Sequence, residues 1–352
     1  MRFLRVIFFA PFSLIWYLIA RLKRLSYKWK LRKRTDSYIY SIVVGNISMG
    51  GTGKTPMSVY LLKLAMERGF SIGYLSRGYG RKTSGLRQVR LDSTTKEVGD
   101  EALLVKRRFP KAEVIVCESR VEGMKYFEQK GKVDWVLLDD AFQHLSYKAS
   151  TYLMLSDMNR PFFKDWVFPS GTLREPRGYH KEADAVLFTK AKKDLNLATK
   201  EQFIKKVRSE VPVLFSSVAY ASRPKSVFKA KQLNWTNKTR VLAFSGLANN
   251  EPFFQFLNEK FKLLGTVDFA DHHDFKENDF ESIKLTYEAQ KKVDMNQSLA
   301  MITTEKDAVR IQTSPYNGIL QDLPLYYWPI EVVFSEKDNL ELQRLIFTID
   351  EK

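Results

Sequence analysis

The sequence predicts an α/β fold: a parallel sheet with helices on both faces, joined to a second, smaller α/β domain. Three observations carry this. Tyr38-Ile39-Tyr40-Ser41-Ile42-Val43-Val44 is almost continuously apolar and β-branched, the pattern of a strand buried on both faces. A glycine-rich turn, Gly50-Gly51-Thr52-Gly53-Lys54-Thr55, stands a few residues beyond it. Past the turn, short apolar runs alternate with stretches of helical periodicity, and that order produces parallel strands with covered faces.

The chain opens on a different kind of segment. From Val6 to Ala20 no residue carries a formal charge, and Arg5 and Arg21 bound the run. Lys23, Arg24, Lys28, Lys30, Arg32, Lys33 and Arg34 follow. A spanning helix needs about 17–25 apolar residues, so the run is short, and Pro11 interrupts it. No small-residue cleavage site follows, which argues against a secretory leader. The reading is a shallow membrane anchor with its basic flank over residues 1–34, with a true span and a buried helix as alternatives. The basic cluster would hold the next domain on the cytoplasmic side, against anionic headgroups.

After the first strand and the turn, an apolar-periodic stretch from Pro56 to Gly69 reads as a helix ended by glycine. Phe70 to Leu75 is a second strand, and Ser76-Arg77-Gly78-Tyr79-Gly80-Arg81 is the loop at its end. Gly99-Asp100-Glu101 opens a helix running to about Arg108. Val114 to Val116, Trp135 to Leu138 and Ala185 to Phe188 are further strands. Near residue 211 the rhythm changes. Val213-Leu214-Phe215 and Ser226-Val227-Phe228 are read as a β ribbon, and a new alternating set starts at Val241-Leu242-Ala243-Phe244. It continues through Leu263 to Phe269 and Leu299 to Thr303. The expected domains are therefore 35–210 and 211–352.

Composition narrows the partners. The single cysteine, Cys117, excludes a disulfide framework or a multi-thiolate metal site. A net charge of +17 calls for an anionic partner, whether nucleic acid, acidic membrane or a phosphorylated substrate. No nucleic-acid recognition motif or aromatic-basic platform is visible, so nucleic acid is not expected.

The turn carries the chemistry. Glycines let backbone amides turn inward onto phosphate oxygens, where a Cβ would clash or forbid the dihedrals. Lys54 supplies a point charge for the β and γ phosphates, and the Thr55 hydroxyl can ligate Mg²⁺. This is a P-loop in all but one position, since the strict pattern wants glycine where the chain has Ser48. A P-loop enzyme also needs a carboxylate at a neighbouring strand end to hold the metal, and Asp139, with Asp140 beside it, answers that description. Of the four histidines, His144 lies four residues past Asp140, and His272 and His273 stand together after Asp271. Their spacing suits support of a base better than a metal site. Arg77 and Arg174 sit in glycine- and proline-shaped loops, where guanidinium groups suit phosphate recognition.

These residues together resemble the tetraacyldisaccharide 4'-kinase family, membrane-associated kinases of lipid A biosynthesis. The likeness runs from Val44-Gly45-Asn46 through the phosphate loop to Pro56, then Ser76 to Arg81, Gly99-Asp100-Glu101 and Asp139 to His144. It continues through Pro169 to Pro176, Phe244 to Asn249, Asp271-His272-His273 and Thr304-Glu305-Lys306-Asp307. The family also lacks the first glycine of the strict pattern, and Ala141 departs from its usual glycine. The resemblance implies transfer of the ATP γ-phosphoryl group, with Mg²⁺, to the 4'-hydroxyl of an acylated glucosamine disaccharide 1-phosphate. It also implies a location at the cytoplasmic face of the inner membrane. Asp100 matches the proposed base and His272 its partner, with Lys54, Arg77 and Arg174 assisting catalysis. Asn46, Arg77, Arg120, His144, Arg174 and Glu175 are implied in substrate binding. Because Asp100 and His272 fall in different domains, they should meet only across an interdomain cleft that ligands close. The competing reading is a membrane-associated nucleotide-switch ATPase with a deviant P-loop. Met49 stands where that class has lysine.

Overall fold

The computed structural model describes residues 2–208, 210–228, 233–293 and 297–347. The elements run α1 (Arg2–Lys28), β1 (Tyr40–Gly45), α2 (Lys54–Glu67), β2 (Ile72–Ser76), β3 (Arg87–Gln88), α3 (Thr95–Val98) and α4 (Asp100–Arg108). Next come β4 (Glu113–Val116), α5 (Arg120–Lys130), β5 (Trp135–Asp139), β6 (Thr151–Asp157), β7 (Ala185–Thr189), α6 (Leu197–Val207) and β8 (Val213–Tyr220). The rest are β9 (Lys225–Ser226), β10 (Arg240–Ser245), α7 (Glu251–Lys260), β11 (Lys262–Asp268), α8 (Glu277–Val293), β12 (Leu299–Thr304), α9 (Glu305–Thr313), β13 (Leu325–Trp328), β14 (Ile330–Phe334) and α10 (Glu336–Phe347).

Nine strands form the first sheet, in the order β14-β8-β7-β6-β1-β5-β2-β4-β3, parallel except at its two edges. Its period of two splits the core. Ile42, Val44, Trp135 and Leu137 point to the layer of α2, α4 and α10, while Val43, Val136 and Leu138 point to the opposite layer. The chain leaves β1 toward β2 and later crosses to β6 on β1's other side. The C-terminal end of β1 therefore lies where strand order reverses, the place where open α/β sheets bind ligands. A five-stranded sheet, β11-β10-β12-β13-β9, forms the second unit.

Two expectations change here. Residues 213–215 and 226–228 do not pair as a ribbon. Instead β8 pairs with β7 and β14, and β9 pairs with β13. The chain also returns. β14 and α10 complete the first sheet, with Tyr60 donating to Asn339 at 2.6 Å and Phe70 stacked on Phe347. A boundary at residue 210 thus cuts one strand too early, and the first unit is discontinuous in sequence. The reason is that an edge strand such as Ile330 to Phe334 alternates burial and gives no local sign of which sheet it joins.

The N-terminal helix is longer than the uncharged run and passes through Pro11 without ending. Val6–Lys28 is long and apolar enough to cross a membrane by length and composition. It is not a buried core helix, since Phe8, Ile15 and Ile19 are exposed. One side is docked: the Ser13 hydroxyl donates to the Val167 carbonyl, and the Trp16 indole donates to the Arg174 carbonyl at 2.8 Å. Arg24 departs from the expected headgroup-facing cluster. It is buried, pairs with Glu175 and Glu182, and lies 4.1 Å from the Tyr179 ring.

Candidate active site

The glycine-rich turn joins β1 to α2. Gly50 and Gly53 adopt φ of 95° and 80°, a region that side chains disfavour. Among the described residues, the amides of Gly50, Gly51, Gly53, Lys54 and Thr55 find no backbone partner. Together with the positive end of α2 they form an open anion cradle. Ser48, the departure from the strict pattern, bridges to Leu173, and Met49 donates its amide to the Thr172 carbonyl. The strap from residue 165 to 175 is thereby laid along the loop. It carries Arg174 to the site, with the Arg174 amide donating to Ile47 at 2.7 Å.

Across the cradle stand the carboxylates. Asp140 lies 3.5 Å from Lys54 and accepts from Arg174 at 3.1 and 3.3 Å. Burial acts to raise its pKa, but the Lys54 and Arg174 cations outweigh it and hold the group below its ordinary value. Asp139 is buried at the end of β5, accepting from Ser58 at 3.2 Å and from Tyr74 at 2.9 Å. Burial, helped by the charges of Glu101 and Asp140, pushes it up to about 6. Each Asp139 oxygen thus already serves a hydroxyl.

Glu101, in the sequence only one member of a motif, stands beside the loop. It accepts from the Thr55 hydroxyl at 2.8 Å and from Lys306 at 2.5 Å. Thr55, Glu101 and Asp139 offer oxygen donors only, which suits Mg²⁺. Among the described residues no three His, Cys, Asp or Glu side chains close into a cage. Mg²⁺ held largely by phosphates and water needs none.

Beside Glu101, Asp100 opens α4. Its Oδ1 accepts from the Glu101 amide at 2.9 Å, and its Oδ2 accepts from Arg310 Nε at 3.0 Å and Nη2 at 2.5 Å. His272 Nδ1 lies 3.3 Å from the same oxygen and 3.1 Å from Arg310 Nη2. That nitrogen can donate to Asp100 or accept from Arg310, not both, so its tautomer follows the partner it serves. Burial works against ionisation of Asp100, yet the His272 hydrogen bond and the Lys306 and Arg310 charges hold it well below the carboxylate range. The expected pair is therefore joined across the two units. The cleft is closed here, where the sequence reading had ligands closing it. Ion pairs fasten it, among them Arg310–Asp100, Lys306–Glu101, Arg108–Glu305 and Lys96–Asp274.

The other implied substrate residues scatter. Arg77 is exposed at the end of β2 and makes no hydrogen bond or ion pair among the described residues. His144 is partly buried, and burial, then the Arg120 and Lys23 charges, press its pKa down to about 4. Three others are occupied elsewhere. Asn46 is buried and donates to the Thr52 hydroxyl at 2.7 Å, bracing the loop from behind. Arg120 is buried and donates to the carbonyls of Cys117 and Asp139 at 2.8 and 2.9 Å, tying the ends of β4 and β5. Glu175 holds Arg24 of α1. Lys306 stands in the sequence only as part of a motif without a readable role, and Arg310 is in none. Their four-residue spacing on α9 was the available signal, because it puts two cations on one helix face.

Comparison with known proteins fits this geometry. The family model LpxK, tetraacyldisaccharide-1-P 4'-kinase, matches residues 5–346. The chain is 34% identical over 344 residues to a tetraacyldisaccharide 4'-kinase of Flavobacterium psychrophilum, covering 96% of this chain and 95% of that one. It is 31% identical over 360 residues to the enzyme of that name from Cytophaga hutchinsonii, covering 100% and 97%. A solved structure of LpxK from Aquifex aeolicus in complex with ATP has the same fold. Its TM-score is 0.75 at 24% identity, with 97% of this chain and 99% of that one covered.

Proposed function

Because this chain belongs to the tetraacyldisaccharide-1-P 4'-kinase family, we propose that it transfers the γ-phosphoryl group of ATP to the 4'-hydroxyl of an acylated glucosamine disaccharide 1-phosphate, in lipid A biosynthesis. The observation that carries the proposal is the meeting of the phosphate loop, through Thr55 and Glu101, with the Asp100–His272 pair on the facing unit. The loop amides, Lys54 and Arg174 hold the triphosphate. Mg²⁺, bound by Thr55 and by Glu101 and Asp139 directly or through water, would neutralise charge between the β and γ phosphates.

Asp100 aligns the acceptor hydroxyl. As the hydroxyl oxygen bonds to the γ-phosphorus, the bond to the β-bridging oxygen breaks, ADP leaves, and the hydroxyl proton passes to Asp100. An aspartate held this acidic is a weak base, so the proton moves late and positioning supplies most of the rate. Arg310 must yield one contact on Asp100 Oδ2 for the hydroxyl to approach, and His272 then fixes the carboxylate in its place. Arg77, exposed beside the site, is suited to a phosphate or sugar of the acceptor. The exposed face of α1 rests in the cytoplasmic leaflet, where the amphiphilic acceptor resides.

The test is acceptor-dependent ATP consumption. With Mg-ATP alone the enzyme should hydrolyse almost nothing, and adding acylated disaccharide 1-phosphate should start turnover. Steady hydrolysis without acceptor would instead favour a nucleotide-switch ATPase.

A further inference from the structure

Apart from Thr52, whose amide bonds to Gly50 O, the amides of the phosphate loop are open to the cradle, and the loop's carbonyls account for why. Met49 O accepts from Arg160 Nη2 at 3.2 Å, Gly51 O from Lys190 Nζ at 2.6 Å, and Thr52 O from the Thr189 hydroxyl at 2.8 Å. Gly50 O takes the Thr52 amide, and Gly53 O takes the Met57 amide in the first turn of α2. Every carbonyl from 49 to 53 is thus engaged; the planes that Arg160 and Thr189 hold carry the open amides of Gly50 and Gly53, and the plane that Lys190 holds carries the Thr52 amide, which closes on Gly50 O. A peptide unit that turns its carbonyl one way turns its amide the other.

The three side-chain donors come from one place. β6 and β7 run in register and end together at Asp157 and Thr189, beside the loop. Lys190 follows at φ 58°, and its ammonium is held between Gly51 O and Asp157 Oδ2, the latter at 2.7 Å. Arg160 packs so closely on Gly50 that a Cβ there would come within 2.9 Å of its Nη2. None of these residues belongs to the phosphate-loop motif.

We propose that Thr189, Lys190 and Arg160, with Asp157 anchoring Lys190, are positioning residues that brace the loop through its carbonyls and so aim its amides at the nucleotide phosphates. Without the brace, the glycines can rotate their peptide planes at little steric cost and turn carbonyls toward the anion. The loop would then bind the triphosphate less tightly while the acceptor side is untouched. This rests on the nucleotide reading above.

Thr189→Val tests it without changing charge, and Thr189→Ser returns the hydroxyl. The full chain is titrated with Mg-ATP, and steady-state constants are measured for both substrates. Loss of one hydrogen bond should raise the ATP dissociation constant about tenfold in Thr189→Val. KM for the acceptor and kcat at saturating ATP should hold, and Thr189→Ser should bind ATP as the unaltered chain does. Lys190→Met should weaken ATP further, since it also frees the Asp157 charge near the phosphates. If Thr189→Val binds Mg-ATP as tightly as the unaltered chain, the brace is wrong and the nucleotide reading stands. If Thr189→Val raises both KM values and Thr189→Ser fails to restore them, the residue is merely structural and the brace is wrong. If the unaltered chain binds no Mg-ATP, the nucleotide reading and the brace fall together.

Discussion

At the scale of single residues, the site works by placing charges where their neighbours decide their state. Asp100 is kept ionised against burial by His272, Lys306 and Arg310, so the base role proposed for it is open at any physiological pH. Asp100→Asn should keep the packing and lower kcat by about 10²–10⁴, with little change in KM for ATP. Steady-state kinetics at saturating acceptor reads this, and an unchanged kcat would remove Asp100 from the base role. His144 gives a pH test. Its folded pKa of about 4 lies below the ordinary 6.5, so the unfolded chain binds the proton first as pH falls. The stability due to neutral His144 is therefore complete above 6.5 and is lost between 6.5 and about 4. Urea titrations across that window should show the wild type losing more stability than His144→Gln. Parallel curves would mean that the ring is not held neutral. Both residues were legible in the sequence as members of motifs. Their protonation was not, because it depends on Arg310, Lys306, Arg120 and Lys23, which the fold brings from distant segments.

At the scale of elements, the junction of α4 and α9 is the feature on which the site depends. α4 begins with Asp100-Glu101 and ends with Arg108, and α9 begins with Glu305-Lys306 and carries Arg310 one turn on. Charges of opposite sign meet along this seam in three pairs. Lys306→Met leaves Glu101 buried without its cation. The cost should fall near the lower end of roughly 3–5 kcal/mol, since both side chains keep some exposure. Lys306 holds Glu101 ionised against burial, so without it the carboxyl takes up a proton more easily. The penalty should therefore shrink from pH 7 to pH 5 in chemical denaturation, and an equal penalty at both would contradict the pairing. Glu305-Lys306-Asp307 was visible in the sequence as a motif with no readable role. The partners of Glu305 and Lys306 lie about 200 positions away, and no local period announces such a contact. Strands β1, β2, β5 and β7 were legible because buried parallel strands are continuous apolar runs. β14, half-exposed at an edge, was not, and with it went the domain boundary.

At the scale of the whole molecule, three parts converge on one place. The first sheet supplies the phosphate loop at its strand-order reversal, the second unit supplies His272, Lys306 and Arg310, and α1 lies against the strap that carries Arg174 and Glu175. The apolar helix α1 and the glycine-rich loop are thus mechanically adjacent. Removing α1 altogether would also expose Glu175. Phe8→Asn with Ile15→Asn and Ile19→Asn is the cleaner change, because these side chains are exposed and the docked side stays intact. The triple variant should lose activity on vesicle-embedded acceptor far more than on detergent-dispersed acceptor. Equal losses on both would argue against a membrane role for that face. We propose that this closed junction is a phosphoryl-transfer site acting on a sugar hydroxyl. Mass and phosphorus NMR analysis of acylated disaccharide 1-phosphate after incubation with Mg-ATP and the full chain tests it most directly. One added phosphate at the 4' position, absent with Asp100→Asn over the same time, is the predicted result. An unmodified acceptor, or a phosphate added elsewhere, would contradict it.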